Sequence, residues 1–325
     1  MSRAIRFHQV GGPEVLRFEE VSVGAPGPGE ARVRHTAVGV NFVDIYHRTG
    51  LYPLPLPSGL GGEAAGRVEA VGPEVRSVSP GDRVVYLSAG PPGAYAEERV
   101  LPADRLVKLP GGIAEELAAA TFLKGLTVQS LVRRAYRVRP GDVVLWHAAA
   151  GGVGLLAVQW LKSIGATVIG TVGTDEKAAL ARAHGCDHVV VYTREDFVAR
   201  VREITHGEGV PVVYDSVGKA TFEGSLDCLR PLGTMVTFGN ASGPVPPLAP
   251  AVLTQKGSLF LTRPSVGHYV AARADLERAA AELFDLLETG RLKVRVGGRW
   301  PLAEAGAAQA ALAARQTTGS LLLQP

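Results

Sequence analysis

At 325 residues the chain is long for one hydrophobic core, so two domains are expected. A formal net charge of +3 is small for that length, and no Lys/Arg-rich block stands out, which argues against a nucleic-acid surface. No apolar run approaches the ~20 residues of a membrane helix and no signal-peptide core is visible, so a soluble, cytoplasmic protein is expected.

Two cysteines, Cys186 and Cys228, make neither a CxxC motif nor a disulfide framework, which fits a reducing compartment. Arg greatly outnumbers Lys, and Asn occurs only at Asn41 and Asn240. A thermophile-like residue choice and GC-rich codon use explain these biases equally well.

In chain order, the first ~120 residues read as mostly β, punctuated by Gly and Pro. Strand patterns cover 31–40, 65–71 and the stretch after the turn at Pro80-Gly81. Helices are predicted to begin near Ala114, with Glu115 and Glu116 in a first turn. From Asp142 to Gly239 the pattern changes. Strands are predicted at Val143–Trp146, Thr167–Val172, 189–191, 211–215 and 234–238. Helices at 155–164, 176–184, 197–205 and 222–228 separate them. That alternation implies βαβ crossovers and a parallel, doubly wound sheet. A Gly/Pro loop at 240–250 and a strand at 258–262 follow. Helices at Arg273–Glu288 and 303–315 and a strand at 319–323 close the chain.

The strongest local signal is His147-Ala148-Ala149-Ala150-Gly151-Gly152-Val153-Gly154, after a predicted strand and opening a predicted helix. Ala149 takes the usual first-glycine position, and Gly151 and Gly154 match the later two. Small residues let the backbone approach a pyrophosphate, and a helix N-terminus favours an anion. The next strand ends at Val172-Gly173-Thr174, without the acid that binds the ribose hydroxyls of NAD. The first carboxylate is Asp175, beyond the expected position, and Lys177 follows. A missing acid and an added base favour NADPH over NADH. The alternative is that Lys177 is simply a solvated helix residue.

Several motifs then fall in order. They are Val38-Gly39-Val40-Asn41-Phe42-Val43-Asp44, Gly59-Leu60-Gly61-Gly62-Glu63-Ala64-Ala65-Gly66, Pro80-Gly81-Asp82-Arg83-Val84, Phe122-Leu123-Lys124-Gly125-Leu126-Thr127, Tyr214-Asp215-Ser216-Val217-Gly218 and Phe238-Gly239-Asn240-Ala241-Ser242. Essentially end to end, the chain resembles the medium-chain dehydrogenases, and more specifically the bacterial NADPH:quinone oxidoreductases, to which the zeta-crystallins are related. The resemblance implies an α/β protein in two parts. Residues 1–124 and 265–325 would form a GroES-like, mostly-β catalytic domain, and 125–264 a Rossmann domain binding NADPH. It places Gly173, Lys177 and Tyr192 around the 2′-phosphate and Gly151, Gly152 and Val153 at the pyrophosphate. It places Asn41, Asp44, Thr127, Ser216, Phe238, Gly239, Asn240, Thr262, Arg315, Gln316 and Thr317 along the rest of the cofactor. By itself, an aromatic such as Tyr192 ending a strand reads as packing.

Zinc alcohol dehydrogenases use a Cys/His/Cys site. Here Asn41 stands where their first Cys would be, and Gly61-Gly62-Glu63 replaces Gly-His-Glu. Leu123-Lys124 offers no thiol at the third position. No metal is expected, and Glu63 is expected to be structural. Without a metal the chemistry should suit acceptors that take electrons readily, by holding them against the nicotinamide. The expected function is NADPH-dependent quinone reduction, by hydride or single-electron transfer. Asn41, Tyr46, Tyr52 and Thr127 are the expected substrate contacts; the tyrosines read equally as ordinary core or rim aromatics. No acid–base residue emerges, and His47 reads as a surface or packing residue. Rival functions are an enone or 2-alkenal reductase on the same fold, and a non-catalytic NADPH-binding protein, crystallin-like or RNA-binding. The small charge argues against RNA. A homodimer is expected from the family, through the strand at 258–262.

Overall fold

The computed structural model describes residues 1–88 and 90–325. It divides into two units: Met1–Leu126 with Val270–Glu288 and Val294–Pro325, and Thr127–Tyr269 with Thr289–Lys293. The first opens with β1 (Ser2–Phe7), β2 (Arg17–Val21), β3 (Glu30–Val40), α1 (Phe42–Arg48) and β4 (Ser58–Gly59). It continues through β5 (Glu63–Val71), β6 (Arg83–Leu87), β7 (Glu98–Pro102), β8 (Leu106–Lys108) and into α2 (Glu115–Ser130).

The second unit begins with β9 (Val143–Trp146), α3 (Gly152–Ile164), β10 (Thr167–Val172), α4 (Asp175–Ala183) and β11 (His188–Val191). Then come α5 (Phe197–Ile204), β12 (Val210–Asp215), α6 (Phe222–Asp227), β13 (Leu229–Thr237), α7 (Ala251–Gln255), β14 (Phe260–Thr262) and α8 (Val266–Tyr269). The chain returns to the first unit with α9 (Arg273–Glu288), β15 (Val296–Pro301), α10 (Ala305–Ala313) and β16 (Ser320–Gln324).

In the first unit a sheet of order β15-β16-β3-β5-β6-β8, with β7 also on β3, lies beside the small sheet β2-β1-β4 in sequence but shares its core. Strand β3 shows the reason for the fold. Ala31, Val33, His35 and Ala37 are buried while Arg34 and Thr36 are exposed, the period-2 pattern of a half-buried strand. From Ala37 to Asn41 burial becomes continuous, so the strand ends inside the protein. Phe7, Val33, Val38, Leu60, Val84, Tyr86, Leu106, Leu321 and Leu323 fill the core.

The second unit is a six-stranded sheet of order β11-β10-β9-β12-β13-β14, parallel throughout. All six residues of β12 are buried, as expected of a strand covered by helices on both faces. The order reverses at β9: β10 and β11 lie to one side, and β12 to β14 to the other. Parallel strands bring all six carboxyl ends to one edge, and the reversal opens a crevice there.

The helices do not begin near Ala114: α1 already forms at Phe42–Arg48. Seven residues are too few to show helical periodicity, yet Asn41 followed by Asp44 carries the cap signature. The strand expected at 258–262 is confined to Phe260–Thr262, because Ser258 has φ 56° and cannot continue a ladder. The edge strand β15 went unread; its two adjacent glycines, Gly297 and Gly298, interrupt the pattern.

Candidate active site

The β9–α3 turn carries the glycine-rich motif. Ala148 is held at φ 55°, Ala149 N–H donates to the Thr171 carbonyl (3.1 Å), and α3 opens at Gly151 with no side-chain cap. A 13-residue helix thus begins with free N–H groups and no acid in its first turn, the arrangement that suits a pyrophosphate. A Cβ at position 154 would lie 2.3 Å from the Ala148 carbonyl oxygen, so glycine is required for the loop to lie against the helix. Ala149 replaces the usual glycine because the neighbouring strand makes room. A Cβ at Gly170 would lie 2.7 Å from the Ala149 methyl and 2.6 Å from Cys186 Sγ.

Beneath the turn lies a buried polar cluster that sequence reading did not single out. His147 Nδ1 is 2.9 Å from Thr171 Oγ1 and Nε2 is 2.9 Å from Ser225 Oγ, tying β9, β10 and α6 together. Burial keeps this imidazole below its ordinary pKa, hence neutral. Asp215 accepts from the Val217 and Gly218 N–H groups (2.7 and 3.1 Å) and from Thr221 Oγ1 (2.8 Å). It shapes the loop at the end of β12.

At the next strand ends, Gly173 faces Tyr192: a Cβ there would lie 2.8 Å from the Tyr192 hydroxyl. Tyr192 is 44% exposed, so it is not the packing aromatic its strand-end position suggests. Thr174 caps α4, its hydroxyl accepting from Lys177 N–H (3.3 Å). Gly173, Lys177 and Tyr192 therefore share one rim. Replacing Lys177 with alanine is expected to weaken NADPH about ten- to a hundredfold, the worth of a charge-assisted hydrogen bond, while leaving NADH nearly unchanged. Parallel fluorescence titrations check this, and equal losses for the two cofactors would remove Lys177 from the phosphate. Further along the same edge, Ala241 N–H donates to the Ser216 carbonyl (3.2 Å), and Phe238 packs on Trp146 with centroids 5.6 Å apart. Gly239 must be glycine, since a Cβ would meet the Ser216 carbonyl at 2.3 Å. Asn240 and Thr262 complete this edge. Thr127 belongs to this unit too, on α2.

In the first unit Asn41 follows β3 and caps α1. Its Nδ2 donates to Glu63 (2.8 Å), which also accepts from Lys124 Nζ (3.1 Å) and from Leu123 N–H (2.6 Å). Glu63 and Lys124 are 0% and 4% exposed. Gly39 clears the space: a Cβ there would sit 2.1 Å from Glu63 Oε1. Glu63 therefore ties Asn41, Leu123 and Lys124 together. Lys124 as the partner cation was missed, though one lysine inside the apolar stretch 117–128 was a usable signal.

Asp44 accepts from Asn41 N–H and from the Tyr95 hydroxyl, both at 2.9 Å and both on Oδ2. Its Oδ1 is buried with no hydrogen-bond partner among the described residues. Tyr95 lies 3.5 Å from Gln309, and Gln309 accepts from Arg48 (2.9 Å). Burial, opposed by these hydrogen bonds, pushes the Asp44 carboxyl up to about 7. A carboxyl whose folded pKa exceeds its unfolded value favours folding when protonated, so its contribution is full below the unfolded pKa and is lost as pH rises toward 7. Asp44→Asn should therefore gain stability relative to the parent between pH 5 and 8, by a few kcal/mol at ~1.4 kcal/mol per pH unit. Urea unfolding at both pH values tests this; an unchanged difference would show that Asp44 is ionised throughout.

Tyr46 and Tyr52 meet edge to face, centroids 5.2 Å apart, at the end of α1. His47 Nδ1 is 3.1 Å from the Tyr52 carbonyl and so holds this turn. Arg315, Gln316 and Thr317 follow α10, with Arg315 at φ 57°. The structure thus gathers Asn41, Asp44, Tyr46 and Tyr52 around α1, and the Gly151–Thr262 set along one sheet edge.

Zinc does not fit the position the fold offers it. An amide, a glycine and an ammonium replace thiol, imidazole and thiol, and the Lys124 charge already neutralises Glu63. Among the described residues, no group of three or more His, Cys, Asp or Glu could hold a metal ion.

Residues 27–111 match the alcohol dehydrogenase GroES-like domain family, and residues 152–285 the zinc-binding dehydrogenase family. The chain is 53% identical to a quinone oxidoreductase of Pseudomonas aeruginosa, with all of both chains covered. It is 47% identical to a 2-haloacrylate reductase of Burkholderia, covering all of this chain and 99% of that one. The solved structure of Escherichia coli quinone oxidoreductase complexed with NADPH superposes with a TM-score of 0.98 at 50% identity, covering 99% of this chain and 100% of that one. With a GroES-like domain, a Rossmann-like parallel sheet and full-length identity at this level, the chain belongs to the quinone oxidoreductase family of the medium-chain dehydrogenases.

Proposed function

We infer that this protein is an oxidoreductase that reduces quinones with NADPH and without zinc. The observation that carries this is the full-length similarity to quinone oxidoreductases, 53% and 50% identical. NADPH, when bound, supplies the reducing hydride or electrons from its nicotinamide. The protein's own residues bind and orient. The uncapped start of α3, with Gly151, Gly152 and Val153, suits the pyrophosphate. Gly173, Lys177 and Tyr192 suit the 2′-phosphate. Ser216, Phe238, Gly239, Asn240, Thr262 and Thr127 in the second unit, and Asn41, Asp44 and Arg315–Thr317 in the first, serve the rest of the cofactor. The unpartnered Oδ1 of Asp44 supports a contact of that kind.

Asn41, Tyr46, Tyr52 and Thr127 meet the acceptor. The tyrosine pair offers aromatic surface to a planar ring, and Glu63 fixes the Asn41 amide. With no Lewis acid in this arrangement, the site favours acceptors that take electrons without prior activation. Similarity to a 2-haloacrylate reductase supports a second acceptor class, electron-poor carbon–carbon double bonds.

The test is a panel of 1,4-benzoquinone, larger quinones, 2-alkenals and 2-haloacrylate, each with NADPH and with NADH. NADPH-dependent quinone reduction, unchanged by chelators and with no stoichiometric zinc by metal analysis, is expected. Tight NADPH binding without turnover of any acceptor would leave a binding protein instead.

The protein is further proposed to be a cytoplasmic homodimer. Two free, buried thiols support a reducing compartment, and no described helix is long and apolar enough to cross a membrane. Phe260 and Leu261, 62% and 39% exposed on the edge strand β14, support pairing with a second copy. Light scattering should give twice the 34.0 kDa chain mass; the single mass would refute the dimer.

A further inference from the structure

One ion pair on the rim beyond β10 and β11 has no part in the reading above. Asp175 opens α4, and Arg194 grips it with two prongs: Nη1 to Oδ2 and Nη2 to Oδ1, both 2.6 Å. The two residues lie on turns that follow neighbouring parallel strands, with Val172 opposite Val191. Thr193 Oγ1 donates to the Gly173 carbonyl (3.1 Å), and Tyr192 N–H to that of Val172 (3.1 Å), so the turns are laced together. The pair therefore sits on the same rim as Gly173, Tyr192 and Lys177.

This placement poses a conflict. Asp175 lies beyond the strand-end position that takes a ribose diol, yet its charge at the start of α4 repels a dianionic phosphate on the same rim. Arg194 removes that repulsion, because its planar fork engages both carboxylate oxygens with a matching charge. We infer that Arg194 is a specificity-determining residue, which makes this rim accept a 2′-phosphate by masking Asp175 rather than by touching the phosphate itself. The inference rests on the NADPH reading. The charges agree with it: the hydrogen bond from Arg194 chiefly, with Arg182 adding, holds Asp175 below the usual carboxylate range.

The test is titration calorimetry with 2′,5′-ADP and AMP, which differ by the 2′-phosphate and leave the nicotinamide out. The parent protein should bind 2′,5′-ADP more tightly than AMP; failure here sinks the NADPH reading, whatever Arg194 does. Arg194→Ala should weaken 2′,5′-ADP about tenfold, the scale of one exposed carboxylate acting on a dianion a few ångströms away in water, and leave AMP unchanged. Asp175→Asn combined with Arg194→Ala should restore 2′,5′-ADP to within about twofold of the parent, since the unmasked charge is gone. A double variant as weak as Arg194→Ala alone would mean that Arg194 binds the phosphate directly, overturning the masking role. Equal losses for both probes in Arg194→Ala would overturn it too, as the mark of a merely structural residue.

Discussion

Replacing Lys124 with methionine is expected to destabilise the first unit by about 3–5 kcal/mol, the usual cost of stranding one member of a buried ion pair. Glu63 is 0% exposed, and among the described residues Lys124 supplies its only cationic contact, at 3.1 Å. Without the ammonium, the carboxylate keeps the Asn41 amide and the Leu123 N–H, which satisfy its oxygens but do not match its charge. A second change, Glu63→Gln, should recover most of the loss, since an uncharged amide still accepts one of those hydrogen bonds. Denaturant unfolding followed through Trp300, the tryptophan of this unit, reads the effect. Methionine within about 0.5 kcal/mol of the parent would show that the pair is not energetically coupled. The same carboxylate is matched by a side-chain cation that the chain itself encodes.

Gly154→Val is expected to abolish tight NADPH binding, with a loss of about a hundredfold or more, because it displaces the helix whose N-terminus we propose for the pyrophosphate. A Cβ at this position would lie 2.3 Å from the Ala148 carbonyl oxygen and 2.7 Å from the Ala149 carbonyl. These are backbone atoms at a turn already held at φ 55°, so they cannot move aside as a side chain would. Gly151→Ala is the graded control. Its Cβ would be 3.3 Å from the same oxygen, so only a few tenths of an ångström must be found, and the loss should be smaller. Calorimetric titration of both variants with NADPH tests the order; equal losses would mean that steric approach does not set affinity here.

How much of this was legible before the fold depends on the range of the interaction. The Rossmann-type half was readable because each strand is a short apolar run and each helix a separate periodic segment. Val143–Trp146 and Thr167–Val172 have the bounds the pattern predicts. The glycine-rich turn was readable because a strand–turn–helix loop of small residues is a local backbone shape. The helix at Phe42–Arg48 was not, since about two turns beyond a cap leave too little periodicity to detect. Nor was the Asn41–Glu63–Lys124 cluster, whose members lie 22 and 61 positions from Glu63. Residue choice at Asn41 and Gly62 excluded a thiol–imidazole metal site. It could not say which cation would stand beside Glu63.

Arg194 makes the same point at the cofactor rim. The missing acid at the end of β10 and the base at Lys177 were visible as residues, and they indicate a preference for NADPH. That Asp175 is neutralised from a turn 19 positions away is a property of two parallel strands in register. By itself, then, the sequence determined the fold class, the glycine-rich turn and the lack of zinc-binding thiols, because each follows from residue type or local periodicity. Only the tertiary structure decided which charges are matched. Coulomb interactions and desolvation depend on distance and burial through space, and neither is written along the chain.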